Sequence, residues 1–181
     1  MPIFSKTLQS IVNLIESINE WTGKLVSWLT LVMVIITTLI VLLRYVFDIG
    51  WIAMQESVLF MHSLVFMLGA AYTFKQDGHV RVDIFYQRFN VKTKAWIDLL
   101  GTLLLLLPVS GLIIWSSWEY ILDSWEIHEG SRNSGGLPGV YLLKSCILMM
   151  AILLILQGIA TIFKSLLSIL GVNQVENIQH G

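Results

Sequence analysis

Charge is scarce in this chain. Asp, Glu, Lys and Arg make up 13% of its 181 residues, where a soluble domain carries about 25%. Hydrophobic residues reach 56% and mean hydropathy is +0.76, which excludes an ordinary water-soluble fold. A net charge of −1 offers no basic field to a polyanion, so no nucleic-acid partner is expected. The single cysteine, Cys146, rules out an internal disulfide and a redox thiol pair; it reads as a small buried thiol. HExxH, GxxxxGK[ST] and GxSxG do not occur, so the chemistry those motifs carry is not written here and the chain is not expected to be an enzyme.

The little charge there is sits at the edges of something. Residues 25–43, 57–74, 99–118 and 145–163 run 18 to 20 residues each without one Asp, Glu, Lys or Arg. As helices rising 1.5 Å per residue they reach about 27–30 Å, the thickness of a bilayer's hydrocarbon core. Lys24/Arg44, Glu56/Lys75, Asp98/Glu119 and Lys144/Lys164 close the four runs. Trp21, Trp28, Trp51, Trp96, Trp115, Trp118 and Trp125 lie at or near their ends, as in an interfacial aromatic belt. The expected fold is an all-α membrane protein, one domain over 1–181, with spans at 22–44, 51–75, 96–119 and 139–164 and a loop at 76–95.

Orientation follows from the basic residues. Lys6, Lys24, Lys75, Arg81, Arg88, Lys92, Lys94 and Lys164 fall on one side, and Arg44, Arg132 and Lys144 on the other. The positive-inside rule places both termini and the 76–95 loop in the cytoplasm. The N-terminus does not read as a cleaved signal, because no small-x-small site follows the first run. Residues 4–20 instead predict an amphipathic helix. Phe4, Leu8, Ile11, Val12, Ile15 and Ile18 recur at spacings of three and four, suited to the cytoplasmic interface or to a partner. Pro108 is expected to kink the third span, and Ser134-Gly-Gly-Leu-Pro-Gly139 to form a turn before the fourth.

Few residues invite a chemical reading. Apart from His62 the runs hold none of the usual carboxylates or bases; a lone histidine there more often bonds a neighbouring helix than binds a metal or haem. Arg44 and Glu56 flank a short aromatic link, and a hairpin would bring them to one depth as an ion pair. His79, Arg81 and Asp83, in Gly78-His-Val-Arg-Val-Asp83, read as a cytoplasmic interfacial motif, with Arg81 near lipid phosphates and Asp83 capping the next helix. The acids Glu119, Asp123, Glu126 and Glu129 recur at three and four before Arg132. They read as a solvated extension of span 3, or as a contact surface for a soluble partner through Glu126, Glu129 and Arg132. Gly69, Ala70, Ala71, Gly101 and Gly158 would let a neighbouring membrane helix approach closely.

Together Arg44-Tyr-Val-Phe, Trp51, Gln55-Glu56, Leu68-Gly-Ala-Ala71 and His79-Val-Arg81-Val-Asp83 resemble the small membrane subunit of TRAP (tripartite ATP-independent periplasmic) transporters, the Q-type or DctQ-like family. Ser124-Trp-Glu, Glu129-Gly-Ser131, Gly135-Gly-Leu-Pro138, Lys144 and Leu156-Gln-Gly-Ile159 are similar to the subgroup labelled mannitol/chloroaromatic. The resemblance implies a scaffold for a large membrane subunit that couples uptake of a substrate, commonly an organic acid, to a sodium gradient. It also implies a place in the bacterial inner membrane and a periplasmic binding protein that delivers the substrate, with membrane lipids around the complex. No cofactor and no metal site are expected. The alternative from another class is a four-helix membrane protein that handles haem, quinone or redox chemistry near His62.

Overall fold

The structure, a computed structural model, describes residues 2–78, 86 and 88–170. Among the described residues the main helices are α1 Pro2–Val46, α2 Ile52–Lys75, α3 Val91–Gly101, α4 Leu107–Glu126 and α5 Val140–Ile169. A π-helical turn, Thr102–Leu106, joins α3 to α4. Among the described residues four rods are long and apolar enough to cross a membrane, the third being Val91–Glu126 taken as one.

The expected short N-terminal helix is not a separate element. α1 runs through residues 20–22 without a break for 45 residues. No proline interrupts it after Pro2, and Gly23, the one residue that could loosen it, is fixed by packing. A Cβ at Gly23 would stand 2.4 Å from Cγ of Tyr72, so the tyrosine ring of α2 fills that place. Part of the apolar stripe turns inward, while Ile11 and Ile18 stay exposed. Val12 and Ile15 are buried with Ala160 of α5, beside Leu156, Ile159 and Phe163.

The third span bends its hydrogen bonding where Pro108 requires it. Proline lacks an N–H and its ring crowds the carbonyl four residues back, that of Leu104. The chain absorbs this with a wider turn, in which Leu107 N–H donates to the Thr102 carbonyl five residues back.

α5 is the central helix, packed on α1, α2, α3 and α4, while α1 and α2 form the other main pair. Its buried positions include Cys146, Ala151, Gly158, Ala160 and Ser165. Small side chains allow helix backbones to approach where no hydrophobic driving force separates protein from lipid. Most large apolar side chains face outward instead, among them Trp28 (69% exposed), Phe66 and Trp115 (79%). The residues that hold the bundle and those that coat it thus differ in size.

Candidate partner-binding surfaces

The end of the bundle away from the termini is closed by residues 127–139. Glu56, in the second turn of α2, is 9% exposed and anchors this connection. Its Oε1 accepts from Ser131 Oγ and, at 2.9 Å, from Asn133 Nδ2; its Oε2 accepts from the Leu137 N–H at 2.7 Å. Gly136 sits so close that a Cβ there would lie 2.6 Å from Glu56 Oε2. Gly135 turns the chain at φ 79°, a conformation that suits glycine. Charged acceptors make the stronger hydrogen bonds, and here one carboxylate gathers three donors.

The expected Arg44–Glu56 ion pair does not form among the described residues. Both Glu56 oxygens are taken by the 127–139 connection, and Arg44, in the last turn of α1, is exposed. A carboxylate facing inward finds donors on α5's leading loop before it finds a cation at the tip of α1.

Glu129 also turns inward. It pairs with Lys144 and accepts from Ser124 Oγ at 2.8 Å, and these contacts hold its carboxyl below the usual carboxylate range. Lys144 lies 3.8 Å from the centroid of the Tyr120 ring, a cation–π contact. Trp125 Nε1 donates to Ser145 Oγ at 2.8 Å and its ring meets Tyr141 edge-on at 4.8 Å. Of the three residues expected to meet a soluble partner, Glu126 and Arg132 are exposed, whereas Glu129 is spent within the fold.

The opposite end carries a second polar network, which sequence reasoning missed. Asn19 (1% exposed) donates from Nδ2 to Gln157 Oε1 at 2.7 Å. Glu20 bridges Lys24 and Lys75, each at 2.6 Å, and Glu16 pairs with Lys164. The signal was present: Asn19 continues the three–four spacing of Leu8, Val12 and Ile15, a polar residue in an apolar stripe. These contacts join α1, α2 and α5 and set the ends of α2 and α5 beside the first half of α1.

The five small residues divide. Ala71 is 1% exposed, and a Cβ at Gly158 would stand 2.8 Å from Leu106 Cδ2. Both therefore serve contacts within this chain and not a second protein. Gly69 and Gly101 have no neighbouring atom within 4 Å of an added Cβ, and Ala70 is partly exposed. His62 faces outward, its ring 6.4 Å from that of Phe66. Among the described residues no three His, Cys, Asp or Glu side chains converge as metal ligands. His79, Arg81 and Asp83 lie outside the described residues.

Four apolar rods locked by polar networks at both ends, with bulky apolar side chains on their flanks, define a multi-pass helical membrane protein. The family model for tripartite ATP-independent periplasmic transporters, DctQ component, matches residues 33–168, about three-quarters of the chain. The chain belongs to that family, the small component of TRAP transporters, which works with a large membrane subunit and a periplasmic binding protein and is not an enzyme family. The match is to the component as a whole and distinguishes no subgroup. No curated protein and no solved structure matches the chain.

Proposed function

We propose that the chain is the scaffold subunit of a sodium-coupled TRAP transporter, steadying the large subunit while that subunit takes up a substrate, an organic acid, from a periplasmic binding protein. The observation that carries this reading is the contrast between family membership and the content of the spans. They carry bulky apolar side chains outward, while apart from His62 their Asp, Glu, Lys and Arg residues lie toward the two ends. Secondary transporters build ion and substrate sites from interrupted helices and polar groups at mid-membrane depth. A family member with so little of either is suited to holding the subunit that has them.

In this reading both termini face the cytoplasm, as the excess of Lys and Arg at that end favours. Gly69 and Ala70, open on α2, offer the large subunit a close approach. Glu126 and Arg132 at the other end are the groups available to the binding protein.

Co-purification from native membranes tests the assignment: the large subunit should elute with this chain, and a monodisperse chain without it would overturn the reading. Substrate uptake into proteoliposomes under an imposed sodium gradient should require both subunits. A Soret band in the purified chain would favour the haem alternative instead.

A further inference from the structure

A cavity of about 670 Å³ opens on the side of the bundle at the end that carries the termini. Phe74, Phe89, Ile97, Leu105 and Val109 form its apolar walls, and Gly101 leaves its floor open. From Ile97 to Val109 the third span covers about 18 Å, close to the depth of one leaflet, half of a ~30 Å core. The π-helical turn lies within this stretch, so the accommodation of Pro108 shapes the groove wall.

The mouth is polar and basic. Tyr86, a lining residue, donates to Asp98 Oδ2 at 2.7 Å, and Lys94 Nζ lies 5.3 Å from the Tyr86 ring centroid. Arg88 adjoins the lining residue Phe89, and Lys92 stands in the first turn of α3. Both are exposed, and neither forms an ion pair among the described residues. Lys75 and Lys164 at the same end are instead committed to Glu20 and Glu16. Among the described residues near this mouth, Arg88, Lys92 and Lys94 outnumber the carboxylates Asp98 and Asp77, which gives a net positive edge to the head of a one-leaflet apolar groove.

We propose that this groove is a specific site for an anionic phospholipid, with one acyl chain along Ile97–Val109 and the phosphate held by Arg88, Lys92 and Lys94. Basic clusters beside membrane helices recognise anionic headgroups, and the groove supplies what a surface cluster lacks, a fixed seat for the chain. The site stands apart from transport and is independent of the scaffold reading.

The test is native mass spectrometry of the full-length chain released from nanodiscs of mixed phosphatidylglycerol and phosphatidylcholine. Wild type should retain phosphatidylglycerol in preference. The triple variant R88Q/K92Q/K94Q should lower that retention roughly tenfold or more, since each basic group near an anionic headgroup adds a several-fold increment. Gly101→Phe and Leu105→Trp, which fill the groove from two positions, should each lower retention of both lipids. Equal retention of the two lipids by wild type, or a triple variant that behaves as wild type, would overturn the proposal. So would loss in the triple variant with none in either groove-filling variant, because the headgroup would then bind without the groove. Retention by the isolated chain that vanishes in the complex, with a cysteine at position 105 crosslinking to the large subunit, would assign the groove to a partner helix instead.

Discussion

Glu56 reaches from the second turn of α2 to the backbone N–H of Leu137, 81 residues later, at 2.7 Å. With Ser131 and Asn133 on its other oxygen, it is the point at which the connection before α5 is fixed to the rest of the bundle.

Glu56→Ala should therefore speed amide hydrogen exchange across residues 131–137, because Leu137 N–H loses its acceptor. Arg44→Ala should leave exchange there unchanged. In a double-mutant cycle on detergent-solubilised stability the two losses should add, as they do for residues without a shared contact. A coupling between them would restore the Arg44–Glu56 pair.

Asn19 and Gln157 should behave in the opposite way. Either single change to Leu leaves a buried amide without its partner and should cost about 1–2 kcal/mol. The double change removes both polar groups and should recover much of that loss. Thermal unfolding of the four variants reads this directly, and two additive single losses would count against the contact.

Gly158→Val should destabilise the isolated chain by about 1–3 kcal/mol, since Leu106 and Thr102 already occupy the space a side chain would need. Gly69→Val, with nothing nearby, should leave the isolated chain intact and weaken only the complex with the large subunit. The midpoint of thermal unfolding, measured with and without that subunit, separates the two.

The Glu129–Lys144 pair carries a pH dependence of defined sign. The native carboxyl lies below its ordinary value of 4.5, so its stabilising contribution is full above that value and fades as pH falls through the lowered native one. Protection of the Tyr141 amide, which donates to the Glu129 carbonyl at 3.4 Å, should fall in that acid window relative to the intrinsic exchange rate at each pH. Lys144→Met should remove most of the dependence, leaving the smaller part due to Ser124 and Arg132.

Charge reversal at Glu126 should weaken uptake driven by the binding protein while membrane assembly persists. Glu129→Lys should disturb the fold itself, because it would set two cations together beside Tyr120. Uptake and size-exclusion profiles, taken together, distinguish docking from folding.

Much of this molecule was legible in one dimension because a bilayer imposes a one-dimensional rule. Uncharged runs of fixed length, closed by charges, point to spans wherever they occur, and four helices long and apolar enough to cross a membrane stand over those runs among the described residues. Family membership was legible in the order of short motifs. The contacts of individual side chains were not. Arg44 and Glu56 are close along the chain, yet Glu56 found its donors in a loop that only folding brings near. Gly158 and Gly69 look alike in sequence, and their surroundings make one a packing site and the other an open face. Nor could the stripe of residues 4–20 say what it would cover. An apolar face states that something must bury it, and the tertiary structure supplied α5. Sequence thus determined where the chain meets lipid, since solvent acts on composition and length alone. The pairing of buried polar groups and the separation of inner from outer small residues were decided by tertiary structure, because both depend on which helices lie side by side.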